Sequence, residues 1–132
     1  MSTSHSSARK ASPRLDLFSA FVELHVLYHA STEPVYGLWL IEELREHGYR
    51  IRPGTLYPLL HSLEGAAMLR SSSTVAGGKV RRYYRITAKG RRYLDRARIQ
   101  LMELVAEILP TGETQRFIRL IEKRSIPNSV SH

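Results

Sequence analysis

The chain has no cysteine, which excludes disulfides, thiolate metal ligands and cysteine nucleophiles together. A reducing compartment suits it, and the cytoplasm is the expected location. It lacks any run near the roughly 20 apolar residues needed to span a bilayer, and its Ser-rich start has no apolar stretch of the signal-peptide kind. No membrane partner is expected. Acid is scarce: 12 Asp and Glu stand against 20 Lys and Arg, a formal net charge of +8. That balance favours a polyanionic partner, nucleic acid first. No nucleophile motif, phosphate-binding loop or obvious carboxylate pair is present, and Glu42, Glu43 and Glu46 belong to a helix surface. Enzymatic activity is therefore not expected. At 132 residues, the chain can hold one compact domain and a short helical appendage, but not two independent cores.

What is present falls into a clear order. Residues 1–13 carry five Ser, one Thr and the bases Arg9 and Lys10, and read as a mobile basic arm. From Leu15, apolar residues recur at spacings of three and four (Leu15, Phe18, Val22, His25, with Phe21, Leu24 and Tyr28 alongside), which predicts a helix to about Ala30. A second helix begins near Gly37, carries Leu40, Ile41 and Leu44, and stops at His47-Gly48, where glycine can take the left-handed cap. A third spans Pro53 to Gly65 with Leu56, Leu59, Leu60 and Leu63 as its buried stripe; Pro53 is tolerated where its missing N–H has no partner anyway. The segment from Arg70 to Ile86 then changes to period two, with a Gly77-Gly78 turn, and predicts a β-hairpin. Val80, Arg82, Tyr84 and Ile86 share one face of the return strand, and Arg81, Tyr83 and Arg85 the other. Thr87 can cap a long fourth helix, and Thr114 to Lys123 forms a last amphipathic piece after the Pro110-Thr111-Gly112 break. The tail, residues 125–132, reads as unstructured.

Three helices, a glycine-tipped hairpin and a further helix are the element order of a winged helix-turn-helix. The expected fold class is mainly α (α+β): that motif over residues 14–87, and C-terminal dimerisation helices over 88–124. Between Lys79 and Arg98 there are nine basic residues and one acid, Asp95. Arginines flanking a Gly-Gly tip and interleaved with Tyr83 suit a hairpin laid against phosphates or a minor groove. The bases from Arg91 to Arg98 are equally well explained as a solvated helix face.

The runs Tyr36-Gly37, Arg52-Pro53-Gly54-Thr55-Leu56-Tyr57-Pro58-Leu59-Leu60, Leu63-Glu64 and Gly78 through Gly90 resemble the PadR family of transcriptional regulators. The resemblance covers about Phe18 to Leu109 and is to the branch with a small C-terminal part. It implies a dimeric repressor whose C-terminal helix packs with the first helix of its partner. Two departures stand out. Where the family has Leu-Glu-x-x-Gly, this chain has Leu63-Glu64-Gly65-Ala66-Ala67, and His61 and Ser62 replace basic residues one turn after Tyr57.

The expected nucleic-acid surface comprises Tyr36, Arg50, Arg52, Gly54, Thr55, Tyr57, Pro58, His61, Lys79, Arg81, Arg82 and Tyr83. Thr55, Tyr57, Pro58 and His61 lie off the leucine stripe, and the start of the third helix adds unpaired N–H groups for an anion. Tyr57 can equally serve as a rim aromatic of the core. The expected dimer interface is Leu15, Phe18, Val22, Leu101, Met102, Val105, Ile108 and Leu109. The expected partners are double-stranded DNA and a second copy of the chain. Two other readings stand beside this one: a groove between the first and fourth helices, lined by Phe18, Phe21, Met102 and Val105, that takes an aromatic or cationic effector, and a winged helix used for RNA or protein. His25 and His29 stand at i and i+4, a spacing that can hold a metal, but with no third ligand nearby in sequence, neither metal nor cofactor is expected.

Overall fold

The computed structural model describes residues 17–110 and 112–130, which leaves the N-terminal arm and Leu15 outside the described residues. The chain divides into two compact units, residues 1–92 and 93–132.

In the first unit, α1 (Leu17–Thr32) buries Val22, Val26, Leu27 and Ala30. This stripe is rotated from the expected face, since Phe18, Phe21 and Tyr28 are exposed. The helix also runs two residues past Ala30, because the hydroxyls of Ser31 and Thr32 donate to the carbonyls of Tyr28 and His29 at 2.5 and 2.9 Å. Such back-bonding satisfies carbonyls that a helix end otherwise leaves open.

Helix α2 (Gly37–Glu46) buries Leu40, Ile41 and Leu44, and α3 (Pro53–Gly65) buries Leu56, Leu60 and Leu63. Leu59, expected in the stripe, is only half-buried. Both helices end in the same device. After α2, Gly48 adopts φ +91°, its N–H donates to Arg45 and the next N–H, of Tyr49, donates to Leu44. After α3, Ala67 adopts φ +62°, with Ala67 N–H donating to Glu64 and Met68 N–H to Leu63. These paired bonds define a Schellman cap. One cap uses glycine and the other alanine.

The hairpin consists of β1 (Leu69–Ala76) and β2 (Lys79–Ile86), paired antiparallel from Leu69↔Ile86 to Ala76↔Lys79. Gly77 and Gly78 close it with φ of +60° and +77°, as a two-residue turn that matches strand twist requires. Only the inner part of β2 packs: Tyr84 is buried, while Val80, on the same face, is 73% exposed because the tip extends beyond the helices that supply the core. Val35, between α1 and α2, adds a further rung by exchanging N–H···O bonds of 3.0 and 2.7 Å with Tyr84.

Thr87 joins the hairpin to α4 (Ala88–Ile108). Its N–H donates to Met68, its hydroxyl donates to the Ala67 carbonyl at 2.6 Å, and Gly90 N–H donates back to the hydroxyl at 3.0 Å. Gly90 is buried, and a Cβ there would stand 2.7 Å from Ile86 Cγ1 and also collide with the Met68 carbonyl. The Thr-x-x-Gly pattern therefore caps the helix and lets it approach the end of α3 at van der Waals distance.

In the second unit, the remainder of α4 exposes Ile99, Leu101, Met102, Leu104 and Ile108. After Gly112 at φ +89°, α5 (Thr114–Val130) follows. This last helix runs past the expected end at residue 124 and continues to Val130.

Candidate nucleic-acid interface

Pro53 starts α3 without a side-chain cap on its first turn, and the expected residues Gly54, Thr55, Tyr57, Pro58 and His61 are all exposed. Burial of Leu56, Leu60 and Leu63 on one side turns these residues outward, as the helical period requires. Gly54 has no heavy atom within 4 Å of the position a Cβ would take. Nothing among the described residues therefore calls for glycine there.

Tyr57 is 38% exposed, and its ring lies over Gly37, where a Cβ would stand 2.6 Å from Cζ. It is thus both a rim aromatic and an outward-facing hydroxyl. The adjacent residue, Tyr36, meets the wing: its ring is 5.3 Å from that of Tyr83 in an edge-on arrangement, and the Arg81 guanidinium lies 4.3 Å above it. Cation–π stacking of this kind holds an arginine side chain in place while its charge stays available. A side-chain hydrogen bond with Tyr83 raises the pKa of Arg81 further above its ordinary value, and Tyr36 adds to this. Tyr57, Gly37, Tyr36, Arg81 and Tyr83 thus form one continuous band from α3 to β2.

Arg82 is held differently. Its Nε donates to Ser71 Oγ at 3.1 Å, and that hydroxyl donates to Glu64 at 2.6 Å. This relay ties the end of α3 to both strands of the wing. Neither Glu64 nor Ser71 is among the expected surface residues: Glu64 entered only through the Leu63-Glu64 run of the resemblance, and a serine among serines carries no local signal. Arg50 and Arg52 line an open groove of about 600 Å3 together with Arg45, Gly48 and Ile51. Arg45 is the newcomer there, and its place on the last turn of α2 was its only signal. Lys79 is exposed at the start of β2. Of the helix-face bases, Arg98 pairs with Asp95 at 2.9 Å and Arg91 donates to the Ser31 carbonyl at 3.3 Å.

Among the expected dimer residues, Val22 is corrected: it is fully buried within its own chain and has no surface to offer a partner. Phe18, Leu101, Met102 and Ile108 are exposed, while Val105 and Leu109 are half-buried. His25 and His29 have no third ligand nearby in sequence, but the fold brings His47, at the end of α2, beside them. The separation in sequence hid it.

Residues 26–96 match the Transcriptional regulator PadR-like family. Over 90 residues the chain is 50% identical to Transcriptional regulator Rv3488 of Mycobacterium tuberculosis, a match covering 68% of this chain and 84% of that one. Among solved structures it is similar to a PadR family transcriptional regulator from Eggerthella lenta, with 34% identity and a TM-score of 0.62 over 82% of this chain and 98% of the other. It is likewise similar to a Streptococcus transcriptional regulator, with 27% identity and a TM-score of 0.65 over 72% and 95% of the two chains.

Proposed function

We propose, from the premise that the chain belongs to the PadR-like family of transcriptional regulators, that it is a homodimeric repressor binding double-stranded DNA in a sequence-specific manner. Members of this family are regulators and not enzymes, so its chemistry is that of recognition. In this reading α3 enters the major groove, with Thr55, Tyr57, Pro58 and His61 toward the bases and phosphates, and the wing carries Lys79, Arg81 and Arg82 to the backbone or minor groove. The observation that carries it is the continuous band from Tyr57 through Gly37 and Tyr36 to Arg81 and Tyr83, which couples the groove-facing helix to the cationic hairpin. Gly54 supports it: a glycine not crowded by any described residue suits close approach by a phosphate outside the chain. Arg50 and Arg52 extend the same cationic surface.

Dimerisation is supported by the exposed apolar residues Leu101, Met102 and Ile108 on α4, more than an isolated helix surface ordinarily carries. Repression follows if the bound dimer covers promoter DNA. No helix among the described residues is long and apolar enough to cross a membrane, and in this reading the protein works where its DNA target is, in the cytoplasm.

The test is the salt dependence of operator binding. Each arginine that contacts a phosphate contributes about one unit to the slope of log K against log salt, so Arg81→Ala or Arg82→Ala, each removing two such contacts from the homodimer, should flatten it by about two units. A slope unchanged in both variants would remove the wing from the interface.

A further inference from the structure

We infer that His25, His29 and His47, with Glu43 as fourth donor, form a binding site for a divalent transition-metal ion of the zinc type. Two helical i, i+4 pairs face each other here: His25 and His29 on α1, and Glu43 and His47 at the end of α2. One ligand nitrogen from each of the three histidines lies within 4.8 Å of the others. Glu43 Oε2 stands 3.3 Å from His47 Nε2 and 3.7 Å from His29 Nε2. In a tetrahedron with metal–ligand bonds of about 2.0–2.1 Å, neighbouring donors are about 3.3 Å apart, so the carboxylate edges are near their bound lengths and the imidazoles need only a modest closure.

Three further features favour an ion over a purely structural cluster. His29 Nε2 is buried and has no hydrogen-bond partner, an arrangement that costs free energy unless something accepts its lone pair. The His25 and His47 rings stack at 5.0 Å, which sets an imidazole of α1 against the one that follows α2. His47 is the C-cap of α2, and the Schellman bonds that follow fix its backbone. Three imidazole nitrogens and one carboxylate oxygen suit zinc, with cobalt as its spectroscopic substitute, and do not suit calcium or magnesium. An ion there would pin α1 to the end of α2, immediately before the Arg50–Arg52 segment.

The experiment uses the full chain without an affinity tag, stripped with a chelator and titrated with cobalt(II), then with zinc(II). Expected are the intense visible absorption of tetrahedral cobalt at one ion per chain, its displacement by zinc, and quenching of Trp39, whose ring lies 5.3 Å from that of His29. His47→Gln, an exposed position that should fold normally, is expected to weaken binding at least tenfold and to abolish the rise in melting temperature that zinc gives the parent protein. His61→Gln should change neither. The inference is overturned if cobalt gives no tetrahedral spectrum, or if His47→Gln binds as tightly as the parent, which would place the ion on other histidines. Binding is read without DNA, so its failure leaves the DNA-binding reading intact.

Discussion

Replacing Ala67 by glycine is expected to stabilise the protein, although it removes a methyl group from a helix terminus. Ala67 holds φ +62°, a left-handed conformation that costs an L-residue about 1–2 kcal/mol. Glycine escapes that cost but loses roughly 0.5–1 kcal/mol more backbone entropy on folding, leaving a net gain of about 0.5–1 kcal/mol. Two residues earlier, Gly65 lies in the last helical turn, and nothing among the described residues outside its own helix stands within 4 Å of the place a methyl group would take. Gly65→Ala should therefore contribute a further gain of about 0.5–1 kcal/mol. The two positions are only two residues apart and can couple, so each change is measured singly. For a chain of this size each gain corresponds to a melting temperature raised by roughly 2–5 °C. Urea unfolding followed by Trp39 fluorescence and by far-ultraviolet circular dichroism measures it. The α2 cap provides the internal control: Gly48→Ala, at φ +91° in the same pattern of bonds, should cost about 1 kcal/mol or more. Were Ala67→Gly neutral or destabilising while Gly48→Ala behaved as expected, Ala67 could not hold the left-handed turn. The position of Thr87, whose hydroxyl donates to the Ala67 carbonyl, would then need another account.

Gly90→Ala should cost about 1–3 kcal/mol, since its methyl would meet the Met68 backbone, whereas Gly37→Ala should cost less because the half-exposed Tyr57 ring can swing away. Gly37→Ala should instead weaken operator binding, and equal unfolding midpoints for the two variants would contradict both contacts. Leu101→Asp combined with Val105→Asp should yield a monomer with reduced operator affinity; a dimer of unaltered mass in light scattering would exclude this helix from the interface. In chelator, stability should fall as pH drops below the unfolded-state histidine value of about 6.5, because the folded chain holds His25 and His29 neutral while the unfolded chain takes up protons. Glu43 opposes this effect and His47 reinforces it. Urea midpoints at pH 7.5 and 5.5 should thus differ, and the difference should vanish in the His25→Gln, His29→Gln double variant.

Local patterns carry most of the fold. The bounds of α3 are readable from Pro53 to Gly65 because a proline start and a leucine stripe are both short-range signals. The hairpin is readable from Gly77-Gly78 and a period of two. What stays hidden depends on residues far apart in sequence. Val35 pairs with Tyr84 through backbone groups that any residue would offer, and His47 reaches His25 through helix packing. The buried face of α1 differs from the expected one because the helix carries more apolar residues than a single chain buries, leaving periodicity unable to choose between Phe18 and Val26. On the nucleic-acid surface, charge and exposure point to Arg81 and Tyr57, but their linkage through Tyr36 and Gly37 is a tertiary fact.

Val35 occupies the outer side of β2 only at Tyr84, and no strand among the described residues lies along the outer side of β1. An unprotected strand margin invites sheet-to-sheet polymerisation between molecules. Here that margin is composed of Ser71, Ser72, Ser73 and Thr74, small hydroxylated side chains that hold water, beside a cationic neighbour strand that repels its own kind. Such a margin offers poor ground for fibre growth, and exchanging Ser72 and Thr74 for valine is expected to lower the solubility of the folded protein.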